Sequence, residues 1–143
     1  MRRHFLLLLA ISCLGLLACR GSRSRICPEG MSLDDKHSKP AQFAWCRNRD
    51  SKRAQYIEFQ PGGKEKRQTC DFRDGRAEGR FVAWFPNGKV WIAGQFAAGH
   101  PQGRWSQWDK SGAMAAEGEY RDGRFVAGAP VASSAVCDKL HPP

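Results

Sequence analysis

The sequence predicts an all-β chain built from a roughly 24-residue repeat, each unit two short strands and two turns. Three observations carry this. The stretch from Gly79 to Val126 is two copies of one unit: Gly79, Arg80, Trp84, Gly88, Gly94 and Gly99 recur as Gly103, Arg104, Trp108, Gly112, Gly118 and Gly123. Within each copy, short apolar and aromatic runs alternate with glycine-centred turns, the pattern of strands and hairpins. A fixed period of this size marks repeat architectures, in which each unit buries its apolar surface against its neighbours.

Taken in order, residues 1–18 read as a lipoprotein signal peptide. Arg2, Arg3 and His4 form a positive start, and Phe5 to Ala18 is an apolar run of signal-peptide length. The run ends Leu16-Leu17-Ala18-Cys19, which resembles the bacterial lipobox. That resemblance implies that Cys19 is acylated and becomes the first residue of the mature chain. Arg20 rather than Asp follows, which resembles sorting to the outer membrane.

Residues 19–53 form a basic segment. From Arg20 to Arg53 there are nine Lys/Arg against four Asp/Glu, in a chain of net charge +9. Beside a lipid anchor such a segment is drawn to anionic membrane surfaces, or it serves only as a solvated linker. Cysteine usage fits export. With Cys13 in the leader and Cys19 lipidated, four remain: Cys27, Cys46, Cys70 and Cys137. Four cysteines allow three connectivities. The stretch between Cys27 and Cys46 lacks periodicity and needs a staple, so the expected pairs are Cys27 with Cys46 and Cys70 with Cys137. Cys70 stands in the column of Gly94 and Gly118, where only a small side chain otherwise occurs. Its sulfur is therefore expected against the sheet, within reach of the tail. Neither a Cys-x-x-Cys nor a histidine spacing for metal is present, so no metal or cofactor is expected.

Residues 54–128 are expected to hold three units. The first is degraded: Tyr56, Phe59, Gly63, Cys70, Phe72 and Gly75 fit the template with one residue inserted. In the second, Arg80 to Phe85 reads as a strand and Pro86-Asn87-Gly88 as a turn, with Asn87-Gly88 a hairpin signal. Val90 to Phe96 returns, placing Val90, Ile92, Gly94 and Phe96 on one face. The third puts Met114, Ala116, Gly118 and Tyr120 on the matching face. Gly63, Gly75, Gly88, Gly99, Gly112 and Gly123 are the turn glycines. Tyr56, Phe59, Phe81, Trp84, Phe96, Trp105, Trp108 and Tyr120 are the repeat aromatics. Phe81 and Trp84 are three apart, as are Trp105 and Trp108, so a regular strand sends each pair to opposite faces. Either a bulge re-aims one ring or both faces carry aromatics and need cover. Trp84 and Trp108 hold equivalent places, and each is expected to be buried by the next hairpin. Residues 129–143, with Gly128-Ala129-Pro130 at their start, read as an atypical cap and tail.

This spacing of glycines, paired aromatics and turns resembles the MORN-repeat-variant family over about half the chain. The resemblance implies stacked antiparallel hairpins forming an elongated sheet, in a family whose members are often described as antitoxin-like.

No catalytic constellation emerges. His100 falls at a turn position held by Arg76 and Arg124 in the other copies. Ser133 and Ser134 lack a Gly-x-Ser-x-Gly setting, and the glycines lack the Lys-Ser/Thr of a phosphate loop. No nucleic-acid motif is present. The expectation is a non-enzymatic cell-envelope lipoprotein, anchored in the membrane, whose repeats bind an envelope protein or a glycan. The alternative is an immunity-type protein that neutralises a toxin.

Overall fold

The computed structural model describes residues 26–39, 41–131 and 137–143. The leader and Cys19 lie outside the described residues. Nine strands form one open antiparallel sheet: β1 (Ser32–Leu33), β2 (Phe43–Arg47), β3 (Arg53–Phe59), β4 (Lys66–Arg73), β5 (Arg76–Trp84), β6 (Val90–Ala97), β7 (His100–Trp108), β8 (Met114–Arg121) and β9 (Arg124–Gly128). Their order in the sheet is their order in the chain.

The sheet begins earlier than the expected repeat region. β1 and β2 fall in the stretch that shows no periodicity, and β2 pairs in register with β3, Ala44 opposite Ile57. Its run Phe43-Ala44-Trp45-Cys46 is apolar on both sides because both of its faces are covered: Ala44, Trp45 and Cys46 are all buried.

Two kinds of turn alternate. At Asp74-Gly75, Ala98-Gly99 and Asp122-Gly123 both central residues have positive φ, which is the two-residue type I′ hairpin whose twist matches that of its strands. The turns containing Asn87-Gly88 and Ser111-Gly112 are longer. Only their glycines are left-handed, and the N–H of Gly88 donates to the Phe85 carbonyl while that of Gly112 donates to the Asp109 carbonyl. Asn87-Gly88 thus closes a hairpin, but as a type I turn with a following glycine. In the second of these turns the Ser111 hydroxyl donates to the Asp109 carboxylate, which also accepts the N–H groups of Ser111 and Ala113. These bonds hold the Asp109 carboxyl below the usual carboxylate range.

Ala98 takes a left-handed conformation, φ 51°, where a Cβ costs roughly 1–2 kcal/mol. Ala98→Asn, which suits this turn, is expected to raise stability by about 1 kcal/mol. A higher melting temperature at unchanged strand content would confirm it, and no change would refute it.

The main core lies on one face. A cross-strand row runs Trp45, Tyr56, Cys70, Phe81 and Gly94, and continues across the register shift between β6 and β7 with Trp105, Gly118 and Gly128. From Cys70 to Gly118 small side chains alternate with large ones along it. The Trp105 indole lies over Gly94, where any Cβ would run into the ring. Phe81 stacks on Trp105 at 5.5 Å, and Phe96 meets that indole edge-on at 5.3 Å. The C-terminal segment closes this face. Val131 and Cys137 are buried in the same cluster, and the Tyr120 hydroxyl donates to the Val131 carbonyl while accepting its N–H.

A smaller core occupies the opposite face at the β2–β3 end. Ala44, Cys46 and Ile57 are buried there beneath Ile26, Cys27, Met31, Leu33 and Phe59. Each terminal segment therefore covers a different face, and each is fastened by a disulfide: Cys27–Cys46, with Cα atoms 5.5 Å apart, and Cys70–Cys137, 5.9 Å apart.

The face beyond the N-terminal cover

Of the eight repeat aromatics, Tyr56, Phe81, Phe96, Trp105 and Tyr120 are buried in the main core. Phe59 packs, part-buried, under the N-terminal segment on the other face. Trp84 and Trp108 depart from expectation: both are only part-buried. Their neighbours explain this. Phe81 and Ala83 belong to the main core, so strand alternation turns Trp84 to the reverse face. The same alternation turns Trp108 away from the face that holds Trp105. Among the described residues, the reverse face is covered at the β2–β3 end. Trp84 borders that cover, lining a cleft of about 340 Å³ with Val82, Arg80, Thr69 and Pro28, and Trp108 is two strands further along. Both faces thus carry aromatics, and the main core lies on the face opposite Trp84 and Trp108.

Met114, expected on the core face, is 58% exposed. It pairs with Trp108 where the register between β7 and β8 shifts, at the end of the sheet away from Tyr120 and the tail. The glycines serve two purposes. Gly75, Gly88, Gly99, Gly112 and Gly123 are left-handed turn residues. Gly63 is left-handed too, and a Cβ there would also collide with Ala41, so two loops meet at that point.

Hydrogen bonds tie successive turns together. On the type I′ side the N–H of Gly99 donates to the Ala77 carbonyl and that of Gly123 to the Pro101 carbonyl. The Glu78 carboxylate accepts the Ala98 N–H, and the Gln102 side-chain carbonyl accepts the Asp122 N–H. On the other side Gln60 donates to the Trp84 carbonyl, Asn87 to that of Lys110 and Lys89 to that of Ser111. Both margins of the sheet are stitched, so its reverse face is held as a stiff platform.

The centre of that face is mixed. Val82 pairs with Ala93, Ala93 with Ser106 and Ser106 with Glu117. Glu117 in turn faces Arg104 at 3.6 Å. Along the type I′ margin lie Arg53, Arg73, Arg76, His100, Arg121 and Arg124, all exposed. Among the described residues no group of three or more His, Cys, Asp or Glu is placed to hold a metal ion, and His100 stands at the rim, its ring beside the turn glycine Gly123.

Compared with protein-family models, curated proteins and solved structures, the chain matches none. The two disulfides are compatible with an extracytoplasmic location.

Proposed function

We propose that this protein is a non-catalytic interaction module of the cell envelope, held on a membrane by acylation at Cys19, its MORN-like sheet binding a protein or glycan partner through the reverse face. The observation that carries the reading is the part of that face that the described residues leave open. It holds two half-buried tryptophans, Trp84 and Trp108, and exposed arginines on a backbone stitched at both margins. Tryptophan and arginine are the residue types that dominate recognition surfaces, and a stiff scaffold loses little entropy on binding. Location follows from the lipobox-like ending at Cys19, the basic segment behind it and the disulfides.

The membrane test is direct. Cys19→Ser is expected to move the protein from the membrane fraction to the soluble fraction, because acyl attachment contributes roughly 0.8 kcal/mol per buried methylene. A mature chain beginning elsewhere, or an unmodified Cys19 by mass spectrometry, overturns the anchor. Crosslinking in intact cells tests the face. A partner captured by the wild type is expected to be lost with Trp84→Ala or Trp108→Ala. Capture of a toxin whose activity is thereby blocked would favour the immunity reading over a scaffold.

A further inference from the structure

The cleft beside Trp84 has the build of a small-ligand site. Its floor is the reverse face of β3, β4 and β5. Gln55 pairs with Asp71 and Thr69 with Val82, and all four line it. Trp84 stands at one end of the floor. Arg80 stands at the other, four residues back along β5, or roughly 13 Å at about 3.3 Å per residue. Ile26, Cys27 and Pro28 line the cleft from the N-terminal cover. That wall is fastened: Cys27 is bonded to Cys46, and Cys46 pairs with Gln55 on the floor. The aromatic end is held too, because the Gln60 side-chain amide donates to the Trp84 carbonyl at 3.2 Å. At the polar end the Asp71 carboxylate accepts from the Gln55 amide at 2.7 Å and from the Arg80 N–H at 3.1 Å. Those two bonds fix its orientation and leave acceptor sites over, since a carboxylate has about four. The volume, about 340 Å³, falls within the range of about 300–1,000 Å³ typical of small-molecule sites.

We propose that this cleft binds a neutral pyranose unit of a glycan, its ring stacked on Trp84 and its hydroxyls bonded at the Asp71 end. The inference rests on the reading of the reverse face as a binding surface, and gives the partner a place and a chemistry. The mixture of lining groups selects the class. A part-buried indole offers a flat apolar surface to the C–H side of a sugar ring. Beyond it stand a carboxylate, an amide and a hydroxyl, from Asp71, Gln55 and Thr69, and two exposed cations, Arg80 and Lys66. Sugar hydroxyls both donate and accept, so they use partners of both kinds. One carboxylate beside two cations leaves no strong field of one sign for a multiply charged ligand. An acyl chain would strip water from these polar groups and give them no partner in return. A peptide cannot join by strand addition, because β3, β4 and β5 each have a strand paired on both sides. The fastened wall and floor are already in place for a ligand, so little freedom is lost when one enters.

The experiment is a titration of the full-length protein, in a polyoxyethylene detergent that carries no sugar, with cellotriose and with chitotriose. Both are neutral, and their equatorial substituents leave the ring faces flat. Tryptophan fluorescence and calorimetry read the binding, and saturable binding of at least one is expected. Trp84→Ala is expected to weaken it at least tenfold, and Trp84→Phe less, because a stacking ring remains. Arg80→Ala and Thr69→Val are each expected to weaken it several-fold. Met114→Ala, an exposed apolar change outside the cleft, is expected to leave it within twofold. Trp84→Phe and Arg80→Ala are expected to keep the wild-type melting temperature, which separates a binding role from a structural one. Absence of saturable binding of both sugars overturns the proposal. So does equal weakening by Met114→Ala, or tighter binding of a nucleoside monophosphate or a short peptide than of either sugar. If a crosslinked envelope partner still depends on Trp84 and Trp108 while neither sugar binds, the sugar is refuted and the broader reading of the face stands.

Discussion

Trp105→Ala is expected to destabilise the protein by about 3–5 kcal/mol, a large share of a small domain's stability. The ring is fully buried. It lies over Gly94, is stacked by Phe81 and is met edge-on by Phe96 and Tyr120. Neighbours on four sides cannot collapse into the space without abandoning their own strands. Gly94→Val is expected to be comparably damaging from the other direction, because its branched side chain must displace the indole. Trp108→Ala, half-exposed on the reverse face, is expected to cost less than about 2 kcal/mol, since only part of its area leaves water. Urea titrations with equal slopes measure all three. Equal losses at Trp105 and Trp108 would contradict the assignment of the two rings to different faces.

Cys70→Ser with Cys137→Ser is expected to be the more damaging of the two disulfide removals. Chain-entropy arguments give about 4 kcal/mol for a separation of 67 residues and about 3 kcal/mol for a separation of 19. The longer link also holds the tail over the main core, where Cys137 and Val131 are buried. Its loss leaves the Tyr120 hydroxyl bonds to hold Val131. The double variant is therefore expected to expose the aromatic face and bind a hydrophobic dye, while Cys27→Ser with Cys46→Ser does not. The reverse ranking, by melting temperature and dye binding, would refute this account.

The all-β class was legible because glycine-bounded aromatic runs admit few other elements. Cys70 was legible for a sharper reason. It occupies a column otherwise held by Gly94 and Gly118, and such a column implies something lying above it. In the structure the indole of Trp105 lies over Gly94, the ring of Phe125 and the Ala129 backbone over Gly118, and the Cys137 sulfur over Cys70. Other features were hidden. Trp84 and Trp108 recur with the same spacing as the core aromatics, yet spacing alone does not say which face a side chain takes or where cover ends. Asn87-Gly88 has the strongest local signal for a type I′ turn, yet that geometry falls at Asp74-Gly75, Ala98-Gly99 and Asp122-Gly123, because strand register decides how many residues each loop must span. β2 escaped notice because a strand buried on both faces has no alternation to detect.

Strands adjacent in space are adjacent in the chain throughout the sheet. Each closure joins residues near one another, so the entropy lost at every step is small and folding can proceed as a zipper. A serial array of this kind is only as cooperative as its nearest-neighbour interfaces, and it frays from its ends. β9, exposed at every position, is the end where fraying would start. The bond from Cys70 in β4 to Cys137 beyond β9 changes the arithmetic. Any opening at the last strands must also release a tail tethered at the middle of the sheet, so a zipper that would loosen one tooth at a time is made to open as a block.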